Sequence, residues 1–113
     1  MTDVYAVTET NFERDVKTKR GVVVLRFWAT WCGPCMRMKP IYLEIAKEMA
    51  GEASFAEVDI DQTPELAAAF GIRSVPSVVV MKDGQPVDGL VGLAPKSRYI
   101  DLIKKHLVVQ PAG

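Results

Sequence analysis

The sequence predicts an α/β domain with a central mixed sheet of five strands flanked by four helices. Short β-branched and aromatic runs alternate with segments in which apolar residues recur every three or four positions, as strands alternating with helices do. An Asp-Gly pair between two apolar runs indicates one antiparallel hairpin. The 113 residues are enough for one core and too few for two, so we expect a single domain over 1–113 with a frayed tail at 108–113.

The first elements are a short strand, a short helix and a central strand. The strand is expected near Val4 to Val7. Thr10 and Glu13 have the spacing of a capping box and predict a helix to about residue 17. The run Val22 to Trp28 is apolar apart from Arg26, which is typical of a strand covered on both faces.

The next elements are a long helix, a strand and a short helix. Residues Pro34 to Met49 have helical apolar spacing, and Pro40 inside this stretch should kink the helix. Phe55 to Ile60 has the composition of a third strand. Thr63 as N-cap and Pro64 at the first helical position then predict a short helix.

The last elements are the hairpin and a C-terminal helix. Ser77 to Lys82 and Gln85 to Val91 are joined by Asp83-Gly84, a pair that suits a tight turn with positive φ. Pro95 to Leu107 shows helical periodicity. The helix carries His106 near its negative C-terminal end, where we expect a solvated ring that complements the dipole.

Composition excludes several classes of protein. Hydrophobic residues make up 49% and charged residues 25%, which argues against a disordered chain or a coiled coil. Fourteen basic residues balance fourteen acidic ones, so we expect neither nucleic-acid nor membrane-surface binding. No apolar run approaches the ~20 residues of a membrane span. The N-terminus lacks the features of a secretion signal, and we therefore expect a cytoplasmic protein.

The two cysteines lie in one motif, Trp31-Cys32-Gly33-Pro34-Cys35. Cys32 begins the helix after the central strand, where free N–H groups and the helix dipole favour a thiolate. Two intervening residues bring Cys35 close enough to resolve a mixed disulfide, so Cys32 is the expected attacking group. Half of a zinc site is the alternative, but only His106 adds a ligand of the usual kind, and we expect no metal.

At this point the chain resembles the thioredoxin family over roughly residues 4–107. The resemblance implies the thioredoxin fold and the reduction of protein disulfides. It also implies that a flavin-dependent thioredoxin reductase, which uses NADPH, reduces the cysteine pair again after each turnover. The chain has no GxGxxG motif, so NADPH and flavin are expected only in that partner. The matching segments, in order, are Phe27-Trp28-Ala29, the cysteine motif, Pro40, Asp59-Ile60-Asp61, Gly71-Ile72-Arg73, Val75-Pro76, Asp83-Gly84 and Gly92.

The resemblance also implies the residues that contact substrate. In the family, the proline that matches Pro76 is cis and lies against the cysteines. Trp31 should be exposed as an apolar contact, whereas Trp28 is expected to be a core aromatic. The implied substrate-binding residues are Trp31, Gly33, Pro34, Val75, Pro76 and Gly92.

Two charges depart from the family pattern. Arg26 occupies a position where the family usually has an aspartate, and Glu57 one where it has a lysine. An unpaired buried guanidinium would cost several kcal/mol, so we predict an ion pair between Arg26 and Glu57 rather than two exposed side chains. Arginine does not release its proton, which leaves Glu57, acting through water, as the candidate proton acceptor. A cation near Cys35 also predicts a reduction potential less negative than that of an ordinary thioredoxin.

Three functions remain open from the sequence. The first is a monomeric disulfide reductase with Cys32, Cys35, Glu57 and Arg26 in the catalytic centre. The second is a disulfide oxidase or isomerase, which Arg26 favours and Gly33-Pro34 disfavours. The third is a partner-binding module without turnover, which the intact cysteine pair disfavours.

Overall fold

A computed structural model describes residues 4–107, and the predicted frayed tail at 108–113 lies outside them. Five strands form one sheet in the order β1-β3-β2-β4-β5. The first three in this order are parallel, β4 is antiparallel to β2, and β5 is antiparallel to β4. This confirms the predicted mixed sheet. The strands are Val4–Ala6 (β1), Val22–Trp28 (β2), Ser54–Asp59 (β3), Ser77–Lys82 (β4) and Gln85–Val91 (β5).

Four helical segments cover the sheet, as predicted. They are a π-helical turn at Glu13–Lys17, and the α-helices Gly33–Glu48 (α1), Pro64–Ala69 (α2) and Lys96–Lys104 (α3). Within residues 4–107, no helix has the length and apolarity that crossing a bilayer requires.

Each face of the sheet has its own apolar core. Helices α1 and α3 pack on one face through Met38, Tyr42, Ile45, Tyr99 and Ile103. The π turn and α2 pack on the other face through Val16, Leu66 and Ala67. Strand β2 lies between the two layers, and only its last residue, Trp28, is partly exposed, in agreement with the prediction of a doubly covered strand.

The start of the first helical segment, at residue 13, differs from the predicted capping box. Thr10 makes no capping bond; the Thr8 amide donates to Asn11 Oδ1 at 2.9 Å, and Thr8 Oγ1 accepts from the Thr10 amide. This local network uses the side chains in a turn instead of a cap. The start of α2 agrees with the prediction, because Thr63 is its N-cap residue and Pro64 its first residue. The Thr63 hydroxyl donates to the Asp59 carbonyl at 2.7 Å and makes no side-chain capping bond.

The β4–β5 hairpin has the predicted turn. Asp83 and Gly84 have φ values of +50° and +84°, which is the left-handed region that this turn requires. A Cβ on Gly84 would lie 2.1 Å from the carbonyl oxygen of Lys17. The hairpin tip is therefore packed directly on the end of the π turn, and only glycine fits there.

Candidate active site

The cysteine pair lies where β2 leads into α1. Cys32 is the N-cap residue of α1, and its Sγ accepts a hydrogen bond from the Cys35 amide at 3.1 Å. The two cysteines form a disulfide. After reduction, the same amide and the helix dipole would stabilise a negative charge on Cys32 Sγ and so favour the thiolate.

The two cysteines differ in exposure. Cys35 has no exposed surface, whereas Cys32 retains 5%. Both cysteines pack against Ala29, with Trp28, Ile60 and Val75 around them. A partner approaching the pair therefore meets Cys32 first.

A cis peptide bond joins Val75 to Pro76, as the resemblance implied. The Val75 carbonyl oxygen lies 3.6 Å from Cys32 Sγ. The Pro76 carbonyl accepts a hydrogen bond from the Gly92 amide at 2.8 Å, so Gly92 is held beside the same loop. The structure thus brings Val75, Pro76 and Gly92 to the cysteine end of the sheet.

The two tryptophans have different surroundings. Trp31 is 68% exposed, as predicted, and its Nε1 donates to Asp61 Oδ2 at 2.8 Å. Trp28 was predicted as a core aromatic but is only half-buried. Its ring centroid lies 5.6 Å from the Arg26 guanidinium and 5.7 Å from the Lys39 ammonium, contacts of the cation–π kind. Trp28 therefore lies at the edge of the core, where it packs against the cysteine cluster.

The predicted ion pair between Arg26 and Glu57 is confirmed. The two residues are register partners on β2 and β3, and Arg26 Nε and Nη2 donate to Glu57 Oε2 at 3.0 and 2.5 Å. Arg26 has no exposed surface, and the Glu57 side chain retains 15%. Arg26 Nη1 also donates to the Cys35 carbonyl at 2.9 Å. A fixed cation therefore lies directly beneath the first turn of α1.

His106 does not match its prediction. Its Nε2 lies 2.9 Å from Asp88 Oδ2 on β5, and its side chain is only 20% exposed. This contact holds the pKa of Asp88 below its usual value. The His106 imidazole, just after the end of α3, therefore contacts β5 instead of extending into solvent. Among residues 4–107, no three His, Cys, Asp or Glu side chains cluster as a metal site would require.

Asp61 is a site residue to which the sequence assigned no role. It follows β3, and the carboxyl end of β3 adjoins that of β2, from which Trp31 extends. Because neighbouring parallel strands end at the same edge of a sheet, the sequence could have indicated that Asp61 lies near Trp31. The hydrogen bond itself depends on the Trp31 rotamer, which the sequence pattern does not specify.

Comparisons with known proteins agree with this geometry. The thioredoxin family profile matches residues 3–105. Thioredoxins from Staphylococcus saprophyticus and Staphylococcus aureus are each 41% identical over 104 residues, covering 92% of this chain and 98% of theirs. A solved mutant thioredoxin from Halobacterium salinarum is 33% identical with a TM-score of 0.86, covering 97% of this chain and 96% of its own. The chain belongs to the thioredoxin family of protein-disulfide oxidoreductases.

Proposed function

We propose that Cys32 is the attacking group and Cys35 the resolving group in the reduction of protein disulfides. The Cys32 thiolate attacks a substrate disulfide, forms a mixed disulfide and releases one substrate thiolate. The Cys35 thiolate then attacks Cys32 Sγ, releases the second substrate thiolate and forms the Cys32–Cys35 disulfide. The observation that carries this assignment is the position of Cys32 at the N-cap of α1, with more exposure than the fully buried Cys35.

Single serine variants test these two roles. With reduced protein and a polypeptide disulfide such as insulin, Cys32→Ser should abolish reduction because no attacking thiolate remains. Cys35→Ser should accumulate a covalent mixed disulfide through Cys32, detectable by mass spectrometry. A mixed disulfide on Cys35 in the Cys32→Ser variant, formed as fast as in the reverse case, would overturn the assignment.

We also propose that the substrate lies across the rim around Cys32. Support comes from the exposed Trp31, from the Val75 carbonyl near Cys32 Sγ, and from the backbone bond between Gly92 and Pro76. Gly33 and Pro34 are exposed at the start of α1. An extended segment on this rim would contact the apolar Trp31 ring and the Val75 backbone. The proposed contact residues are Trp31, Gly33, Pro34, Val75, Pro76 and Gly92.

Glu57 is our candidate acceptor for the proton that Cys35 must lose. Arg26 cannot accept a proton, and it bridges the Cys35 carbonyl and the Glu57 carboxylate. Glu57 also lines an open cavity of about 230 Å³ between the ends of β1 and β2 and the start of α2. Water in this cavity would carry the proton from the Glu57 carboxylate to the solvent.

We further propose that Arg26 raises the reduction potential. A cation beside Cys35 favours the thiolate, which stabilises the reduced form and makes the pair more oxidising. The double variant Arg26→Asp/Glu57→Lys keeps two opposite charges but reverses them. In equilibrium with glutathione, the reduction potential of the double variant should be more negative than that of the wild type. A tenfold change in the equilibrium constant with glutathione corresponds to a shift of about 30 mV. An unchanged potential would remove Arg26 as the cause.

The Arg26 guanidinium beside Cys35 is also the observation that favours the second function, disulfide oxidation or isomerisation. Recovery of a scrambled disulfide substrate distinguishes it from reduction. A wild type that refolds the substrate faster than it reduces insulin would favour the oxidase or isomerase.

The electron donor that we propose is a flavin-dependent thioredoxin reductase that uses NADPH, and the proposed location is the cytoplasm with the protein as a monomer. Similarity to bacterial thioredoxins supports the donor and the location. Insulin reduction should then depend on both the reductase and NADPH. Activity with dithiothreitol but none with the reductase would contradict this donor.

A further inference from the structure

The Arg37 side chain lies against the residue that follows the attacking cysteine. Arg37 is exposed and comes four residues after Gly33 on α1, so the two residues share one face of the helix. Its side chain extends back toward the start of the helix, as is usual for long helical side chains. Arg37 Nη1 would lie 3.7 Å from a Cβ on Gly33, an ordinary van der Waals contact. The guanidinium therefore lies at Gly33, directly after Cys32.

Arg37 has no charged partner within the part of the chain that the structure describes. Between residues 4 and 107, the ion pairs and side-chain hydrogen bonds of arginines belong to Arg14 and Arg26. A helical ion pair is also unavailable, because the residues three and four positions away are uncharged, namely Gly33, Pro34, Pro40 and Ile41. The planar fork of donors on Arg37 can therefore accept a carboxylate from another molecule.

The rim around Cys32 otherwise offers a substrate little charge. All six proposed contact residues on it are uncharged, and Trp31 is the most exposed aromatic among them. Asp61 lies against Trp31, but its carboxylate already accepts the hydrogen bond from Trp31 Nε1. Arg37 therefore adds a positive charge without a partner to a mainly apolar contact surface. Charges placed in this way discriminate between partners more than they increase affinity.

We propose that Arg37 determines specificity for protein disulfides that have an acidic residue beside the reacting cysteine. Its guanidinium pairs with that carboxylate while Cys32 attacks the disulfide. Consecutive Cα atoms are ~3.8 Å apart and an extended chain advances ~3.3 Å per residue, so the acidic residue lies within about three positions of the reacting cysteine. The proposal rests on the proposed reduction of protein disulfides at Cys32. It concerns one local contact and leaves the zero net charge of the chain unchanged.

Two matched arginine variants test this contact. Arg37→Gln removes the charge beside Gly33. Arg20→Gln removes the same charge from another exposed arginine, which precedes β2, whereas the cysteines follow β2. The seven residues of β2 separate these two ends of the sheet by roughly 20 Å. Since both variants change the net charge equally, only a local contact distinguishes them.

The measurement is kcat/KM of the reduced protein for peptides whose single cysteine is joined by a disulfide to a small neutral thiol. The peptides carry either glutamate or glutamine at one of the three positions on each side of that cysteine. For each variant, the ratio of kcat/KM between the glutamate and glutamine peptides is taken, because this ratio cancels differences in folded protein. At one position at least, the wild-type ratio should exceed that of Arg37→Gln about fivefold, which corresponds to ~1 kcal/mol. Arg20→Gln should keep the wild-type ratio.

Reversing the charges gives a second measurement. Arg37→Glu should reduce a peptide with lysine at the same position faster than the glutamine peptide, which a purely structural role of Arg37 would not produce. The proposal is overturned by equal ratios for the wild type and Arg37→Gln at every position, by an equal loss in Arg20→Gln, or by the absence of a lysine preference in Arg37→Glu. Failure of the wild type to reduce the peptides would instead overturn the proposed function.

Discussion

Arg26 and Glu57 place two opposite charges inside the sheet, where each depends on the other. Removing one member of such a pair leaves a buried charge without a partner, which costs about 3–5 kcal/mol, whereas replacing both by apolar residues is often neutral or stabilising. We therefore expect Arg26→Leu to lower the free energy of unfolding by roughly 3 kcal/mol, and Arg26→Leu/Glu57→Leu to recover most of that loss. Urea denaturation of the three proteins measures both values. A double variant as unstable as the single one would show that Arg26 acts mainly through its bond to the Cys35 carbonyl.

The sequence predicted the ion pair between Arg26 and Glu57, but not the hydrogen bond from Arg26 to the Cys35 carbonyl. A charged residue in an apolar strand needs a partner, and parallel neighbours limit where that partner can be. The bond from Arg26 Nη1 to the Cys35 carbonyl depends on the arginine rotamer and on the position of α1 above the strand. Neither follows from residue spacing.

At the scale of elements, the Tyr42 hydroxyl links α1 to the sheet by hydrogen bonds. The buried hydroxyl lies 3.0 Å from the Val24 carbonyl and 2.8 Å from the Ala56 carbonyl, which belong to β2 and β3. Burial, and secondarily the Glu57 charge, raises the pKa of Tyr42 well above its ordinary value of 10.0. Above pH 10.0 the folded protein therefore keeps the Tyr42 proton, which the unfolded chain releases.

Tyr42→Phe should lower the free energy of unfolding by about 1 kcal/mol near neutral pH, because the hydroxyl bond is lost. The raised pKa also predicts that this stabilisation is complete below pH 10.0 and is lost as the pH rises through the folded pKa. Wild-type stability should accordingly fall more steeply than that of Tyr42→Phe above this pH. Denaturation midpoints between neutral and alkaline pH compare the two, and equal slopes would contradict the prediction.

Long periodic elements were predictable, and the first short helical segment was not. β2, β4 and β5 have the predicted bounds, and α1 differs by one residue at each end. Their hydrophobic patterns extend over six residues or more. The π turn has five residues, and Asn11 binds the Thr8 amide where a capping box at Thr10 was predicted. In so short a segment, one alternative side-chain bond decides the conformation.

At the scale of the whole molecule, charge gives no long-range attraction to a partner. Fourteen basic and fourteen acidic residues sum to zero, so the complex with a polypeptide substrate should form through local apolar contact. We expect KM for insulin to change less than about twofold between roughly 0.01 and 0.5 M salt. A tenfold rise in KM with salt would indicate that charges steer the encounter.

The unequal exposure of the two cysteines also bears on the order of events in a catalytic cycle. Since Cys35 has no exposed surface, we expect electrons to enter and leave through Cys32. The donor and the acceptor of electrons would then compete for one atom and could not be bound there together. We therefore expect turnover by double displacement with ping-pong kinetics, in which each partner dissociates before the other binds.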